Sequence, residues 1–162
     1  MLTRYGSMVV FLLLAVLAAA AGATFEAGEW YYRDLGKPDW NAPAWLTALG
    51  WAVAYACAAM AAWSAWQSEH YDRLKATAWW LALLALNVVW SFLYFGMHRP
   101  GWAWVALGLA VILAIVCLLK FSRLSSQAAG LMVPYLLWIA YLWMLNLATW
   151  TLSGGLFSRL LL

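Results

Sequence analysis

Charge divides the chain into apolar segments. No Asp, Glu, Lys or Arg occurs in residues 5–25, 40–68, 76–97, 100–119 or 124–158. About 20 apolar residues of helix cross a bilayer's hydrocarbon core, so each run is long enough to span. The last run, 35 residues long, falls short of the roughly 40 needed for two crossings and a turn. It reads as one crossing followed by a polar tail at Ser153-Gly154-Gly155. In hydrocarbon every backbone N–H and C=O has to bond internally, and runs of this kind do so as helices. The pattern predicts an all-α integral membrane protein: a five-helix bundle in one domain, 1–162. Helices are expected near 6–25, 44–66, 76–97, 101–120 and 128–152, with a long first loop, 26–43.

Composition agrees. The chain is 68% hydrophobic and 9% charged, with mean hydropathy +0.81, where a soluble domain carries about a quarter charged residues. The apolar stretch Met8–Ala23 is longer than the core of a signal peptide and is read as the first helix. Nine basic residues spread over loops and tails form no nucleic-acid patch. Arg4, Arg73, Lys75, Lys120 and Arg123 fall on one side of the membrane, and Arg33, Lys37, Arg99 and Arg159 on the other. That five-to-four balance leans towards a cytoplasmic N-terminus. Cys57 and Cys117 fall inside spans and read as small reduced hydrophobes.

Apart from Lys120 at the very end of the fourth, no predicted span contains an Asp, Glu, Lys, Arg or His, which argues against a proton relay or a charged selectivity ring. No metal-ligand spacing or nucleophile–base pattern occurs, and no obligatory cofactor is implied. His98 reads as a solvated loop residue at the end of the third helix. Among the 14 Trp, those at helix ends form an interfacial belt: Trp30, Trp40, Trp45, Trp63, Trp66, Trp79, Trp80, Trp102 and Trp104. Trp51, Trp90, Trp138 and Trp143 lie deeper, where an indole N–H needs a partner. Asn87 and Asn146 lie equally deep. At 3.6 residues per turn, Asn87, Trp90, Ser91 and Tyr94 share a face of the third helix. Tyr135, Trp138, Leu142 and Asn146 form a similar stripe on the fifth, and Trp51 stacks one turn from Tyr55. Two readings fit: interhelical hydrogen bonding, or a pocket with flat walls and a few polar points. Alanines recur every fourth position at Ala58/Ala62, Ala78/Ala82 and Ala106/Ala110/Ala114, a spacing that lets helices approach closely. The Ala78/Ala82 face, with Ala85, is a candidate homodimer seam.

The segments "EWYYRDLGKPDWNAPAW", "LNVVWSFLYFGMHR" and "VPYLLWIAYLWMLN" resemble, in order and spacing, the three signatures of the translocator protein family. Its bacterial members are called tryptophan-rich sensory proteins (TspO/MBR). The resemblance covers nearly the whole chain. It implies a five-helix bundle that often dimerises. It also implies a pocket near a lid-like first loop, and binding of tetrapyrroles such as porphyrin or haem, with sterols in some members. Asn87 and Trp90 match the third-helix motif; Tyr135, Trp138 and Asn146 match the fifth; Trp51 matches the second-helix tryptophan. Trp30, Tyr31, Lys37, Pro38, Trp40 and Pro43 match the lid motif. Ala42-Pro43 stands where the family usually has two prolines. The Tyr-then-basic sterol pattern is missing after Asn146, which weakens a sterol reading.

The expectation is a multi-pass protein of a bacterial cell membrane or an organelle membrane, binding a tetrapyrrole or similar flat lipophile for sensing, transfer or regulation. Expected partners are the lipid bilayer and a second copy or a larger complex. Two alternatives stay open: a structural subunit of a respiratory or pigment complex, and an enzyme that degrades porphyrin photo-oxidatively.

Overall fold

The computed structural model describes residues 2–25 and 27–154, the side chains of residues 2–4 excepted. Glu26, Gly155, Arg159 and the Arg4 side chain, which entered the sequence reading, lie outside the described residues. The described chain forms α1 (Leu2–Ala23), α2 (Ala44–Trp66), α3 (Arg73–Ser91), α4 (Pro100–Ser122) and α5 (Ser126–Leu152). All five are long and apolar enough to cross a membrane, α3 together with the π-helical turn Phe92–Gly96 that continues it. A second π-helical turn, Trp30–Asp34, interrupts the first loop.

Several helix boundaries differ from expectation. Helix α1 begins at Leu2 rather than residue 6 and ends at Ala23 rather than 25; α3 begins at Arg73 rather than 76; α5 begins at Ser126 rather than 128. The charge-free runs mark hydrocarbon, whereas the helices continue into the polar interface. There Asp72 just precedes α3 and pairs with Lys75 at 3.6 Å. Local chemistry fixes the ends. Ser125 caps α5 by accepting from the Ala128 N–H at 3.3 Å. Pro100 opens α4, where its missing N–H costs nothing.

The helices close in the spatial order α1–α2–α5–α4–α3, each packed on the next and α3 back on α1. Alanine makes the close approaches possible: Ala58, Ala62, Ala106, Ala110 and Ala114 are all buried. Ala78, Ala82 and Ala85 instead face outward. The belt reading fails at Trp80, which is fully buried with its ring 5.4 Å from Phe11. Cys57 and Cys117 are free thiols.

Two hydrogen bonds cross the ring from α3 to α5. Asn87 Nδ2 donates to the Tyr135 hydroxyl, and the Tyr94 and Thr149 hydroxyls pair at 2.9 Å. At the opposite end of the molecule α1 is tied to α2. Trp63 Nε1 and Gln67 Nε2 both donate to Ser7 Oγ at 3.2 Å, and Phe11 lies against Trp66.

Ala110 has no exposed surface, so Ala110→Leu is expected to overpack α4 by about 1–3 kcal/mol. Thermal unfolding in detergent should show a clearly lower midpoint than for Ala82→Leu, which faces outward.

Candidate ligand cavity and the loop above it

A cavity of about 700 Å³ lies between the C-terminal half of α1, the N-terminal half of α2 and the C-terminal half of α3. Leu12, Ala15 and Gly22 line it from α1, Trp51 and Tyr55 from α2, and Asn87, Trp90 and Ser91 from α3. Phe25 and Tyr32 of the first loop, and Phe95, close the top. The volume lies within the roughly 300–1,000 Å³ of small-molecule sites.

Its walls are flat. Trp51 stacks on Tyr55 with centroids 5.2 Å apart and planes 22° apart. The Trp90 ring lies 5.8 Å from Trp51. Trp90 in turn stacks on Tyr94 at 5.7 Å. Asn87, 2% exposed, spends its amide nitrogen on the Leu83 carbonyl (2.8 Å) and the Tyr135 hydroxyl. Its Oδ1 has no partner among the described residues, and neither has Trp90 Nε1. The two readings of Asn87 therefore coexist in one side chain: the nitrogen joins helices and the oxygen is spare. Ser91 lines the cavity while its hydroxyl donates to the Gly22 carbonyl at 2.7 Å, tying α3 to α1.

Of the twelve residues predicted to bind ligand, Trp51, Tyr55, Asn87 and Trp90 line this cavity. Tyr135, Leu142 and Asn146 are buried in the core behind it, and Tyr94 is buried beneath Trp90. Trp138 lies on the far side of Trp51, at 6.4 Å edge to face, and lines an outer groove between α2 and α5. A Cβ at Gly50 would fall inside the Trp138 ring, so this glycine lets the indole lie directly on the α2 backbone. Leu12, Ala15, Gly22, Phe25, Tyr32 and Phe95 were missed. Tyr32 and Phe95 fall within the quoted motifs, and Ala15 and Gly22 within the small-residue stretch of α1.

Trp30, Tyr31 and Trp40 sit above the cavity as part of a strapped loop. Trp30 stacks on His98 at 4.5 Å, so His98 is exposed but not merely solvated. Tyr31 packs on Tyr94 and Phe95. Burial raises the Tyr31 pKa, with the neighbouring Tyr32 adding to the effect, so the phenol stays protonated well past neutral pH. The Lys37 amine lies 4.4 Å over the Tyr31 ring and 5.2 Å over that of Tyr32. Gly36 N–H donates to Ser153 Oγ at 2.9 Å. A Cβ at Gly36 would come within 2.9 Å of Leu152, so only glycine allows this approach. After Pro38 the chain turns, and Ala42 N–H donates to the Tyr141 hydroxyl at 3.0 Å just before Pro43 leads into α2. Trp40 meets Tyr141 edge to face at 5.9 Å.

The fold and the cavity define a class: an integral, multi-pass membrane protein with an aromatic-walled chamber under a fixed loop at one membrane surface. The model of the TspO/MBR family matches residues 8–151, and the chain belongs to that family. It is 33% identical over 145 residues to the translocator protein of Bos taurus, covering 86% of each chain. It is 34% identical over 148 residues to the tryptophan-rich protein TspO of Archaeoglobus fulgidus, covering 88% of this chain and 94% of that one. Over 128 residues it is 34% identical to the tryptophan-rich sensory protein of Cereibacter sphaeroides, covering 79% of each.

Tyr135→Phe removes the hydroxyl that receives the Asn87 nitrogen. The expected loss is about 0.5–1.5 kcal/mol, the usual range for such bonds in membranes and in folded proteins. Unfolding titrations in mixed micelles measure it.

Proposed function

We propose that the chain binds a flat lipophilic ligand of the tetrapyrrole kind, porphyrin or haem, in the α1–α2–α3 cavity, as a step in sensing or transfer. The observation that carries this reading is the Trp51–Trp90 pair, two indole rings 5.8 Å apart in the wall of one cavity of about 700 Å³. Stacking on such rings favours flat molecules. Asn87 Oδ1 and Trp90 Nε1 are buried without a partner among the described residues, in two side chains that line the cavity. No His, Cys or Met lines the cavity among the described residues, so a haem ring would be held there by stacking, with the phenols of Tyr32 and Tyr55 the only side chains of an axial-ligand type in the lining. Acidic groups on such a ring would lie towards the loop, where Lys37 is the cation beside Tyr32. The relatives' names, translocator and sensory protein, agree with transfer and sensing. The outward alanines Ala78, Ala82 and Ala85 leave α3 free to pack on a second copy.

The test is a titration of the purified protein with protoporphyrin, followed by tryptophan quenching. Trp51→Ala is expected to weaken binding by about 0.5–2 kcal/mol, three- to thirtyfold. Trp143→Phe, on the far side of the bundle, leaves it unchanged. Asn87→Leu should both destabilise the fold and weaken binding, by roughly 1–3 kcal/mol. Equal affinity in the parent and Trp51→Ala would place the ligand elsewhere.

A further inference from the structure

The cavity has two boundaries through which a ligand could pass, and they are built differently. The loop above it is fastened along its length. Gly36 is bonded to Ser153, Ala42 to Tyr141, and Trp30 is stacked on His98. Leu35 is buried at 6% exposure, and the Lys37 amine clips the Tyr31 and Tyr32 rings together. Opening the loop would break all of these contacts together.

Among the described residues, no hydrogen bond ties α1 to α2 near the loop. The ties between these two helices, Ser7 to Trp63 and Gln67 and Phe11 to Trp66, all lie at the other end. Towards the loop the cavity's own lining reaches the outer surface: Val16, Ala23, Ala48, Ala52 and Ala56 line the cavity and are also exposed. Alanine and glycine predominate on these rims, so little side chain stands in the gap. This opening lies within the apolar spans of α1 and α2 and faces hydrocarbon.

We infer that the α1–α2 slot is the ligand's way in, and that the cavity takes its ligand from solution in the bilayer while the loop stays shut as a fixed roof. The substrate class is thereby narrowed to molecules that partition into the membrane before they bind. The inference rests on the cavity reading above and adds the route.

Two sets of variants separate slot from loop. Gly36→Cys with Leu152→Cys staples the roof: the two Cβ atoms would stand 2.9 Å apart, and the loop has to move out by about 1 Å to reach disulfide geometry. It is made in a background with Cys57→Ala and Cys117→Ala. Ala19→Leu with Ala48→Leu narrows the slot, and Val9→Phe adds bulk to α1 outside the cavity as a control. Each protein is reconstituted in nanodiscs. Protoporphyrin is delivered from donor liposomes, and stopped-flow quenching gives the association rate.

The expected result is that the staple, oxidised or reduced, changes the rate less than about twofold, as does Val9→Phe. The slot pair should slow association by roughly tenfold or more, with release slowed alongside. A staple that stops uptake until it is reduced would overturn the inference, as would a folded slot pair that takes up porphyrin at the parent rate. In either case Trp51→Ala still weakening equilibrium binding would leave the cavity reading standing. No uptake by the parent would remove the cavity reading and the route together.

Discussion

Asn87 joins α3 to α5 across the middle of the bundle, at a depth where no water can replace a lost partner. Its nitrogen donates to the Leu83 carbonyl within α3 and to the Tyr135 hydroxyl of α5. Helices α3 and α5 are not neighbours in the ring; each packs on α4. The bond therefore closes the centre on the α3–α4–α5 side, and the Tyr94–Thr149 pair repeats the closure nearer the loop. With that side filled, the remaining free volume falls where α1 stands away from α2. The position of the cavity follows from where the polar bonds are spent.

The same economy explains the aromatic wall. In hydrocarbon the hydrophobic effect does not press helix against helix, so packing and hydrogen bonds decide contact. Gly50 admits Trp138 to the α2 backbone, and Trp138 then lies edge-on to Trp51. Trp51 is thus supported from behind by one indole and lies against another, Trp90, in the same cavity wall. Ser91 fixes the third side by bonding to the Gly22 carbonyl of α1. A slab-shaped space results, rigid on α2 and α3 and backed by the core. Small residues wall the α1 side and the facing rim of α2, at Ala48, Ala52 and Ala56.

The five spans were legible because charge inside hydrocarbon is costly, and the gaps between charged residues therefore trace the helices. The ends were less legible, since helices extend into the interface, where Arg73 and Lys75 are tolerated. One wall of the cavity could be read from sequence: Trp51, Tyr55, Asn87 and Trp90 announce themselves as large or polar side chains deep in apolar runs. The α5 stripe gave the same signal, yet Tyr135, Leu142 and Asn146 turn into the core. A period of 3.6 shows that residues share a face but not what that face meets, and in lipid both faces of a helix are apolar. The α1 wall was invisible, because Leu12, Ala15 and Gly22 look like any other span residues. The loop was legible as a structured cover from its prolines and aromatics. Its fastening to Ser153, Tyr141 and His98 depends on contacts far apart in sequence.

The central claim is that a flat ring lies in the α1–α2–α3 cavity against Trp51 and Trp90, under the loop. Crystals grown with zinc protoporphyrin, measured at the zinc absorption edge, test it most directly. One anomalous peak in the α1–α2–α3 cavity, beside these two indoles, is the predicted result. A peak in the outer α2–α5 groove beside Pro134 and Trp138, with the α1–α2–α3 cavity empty, would contradict it.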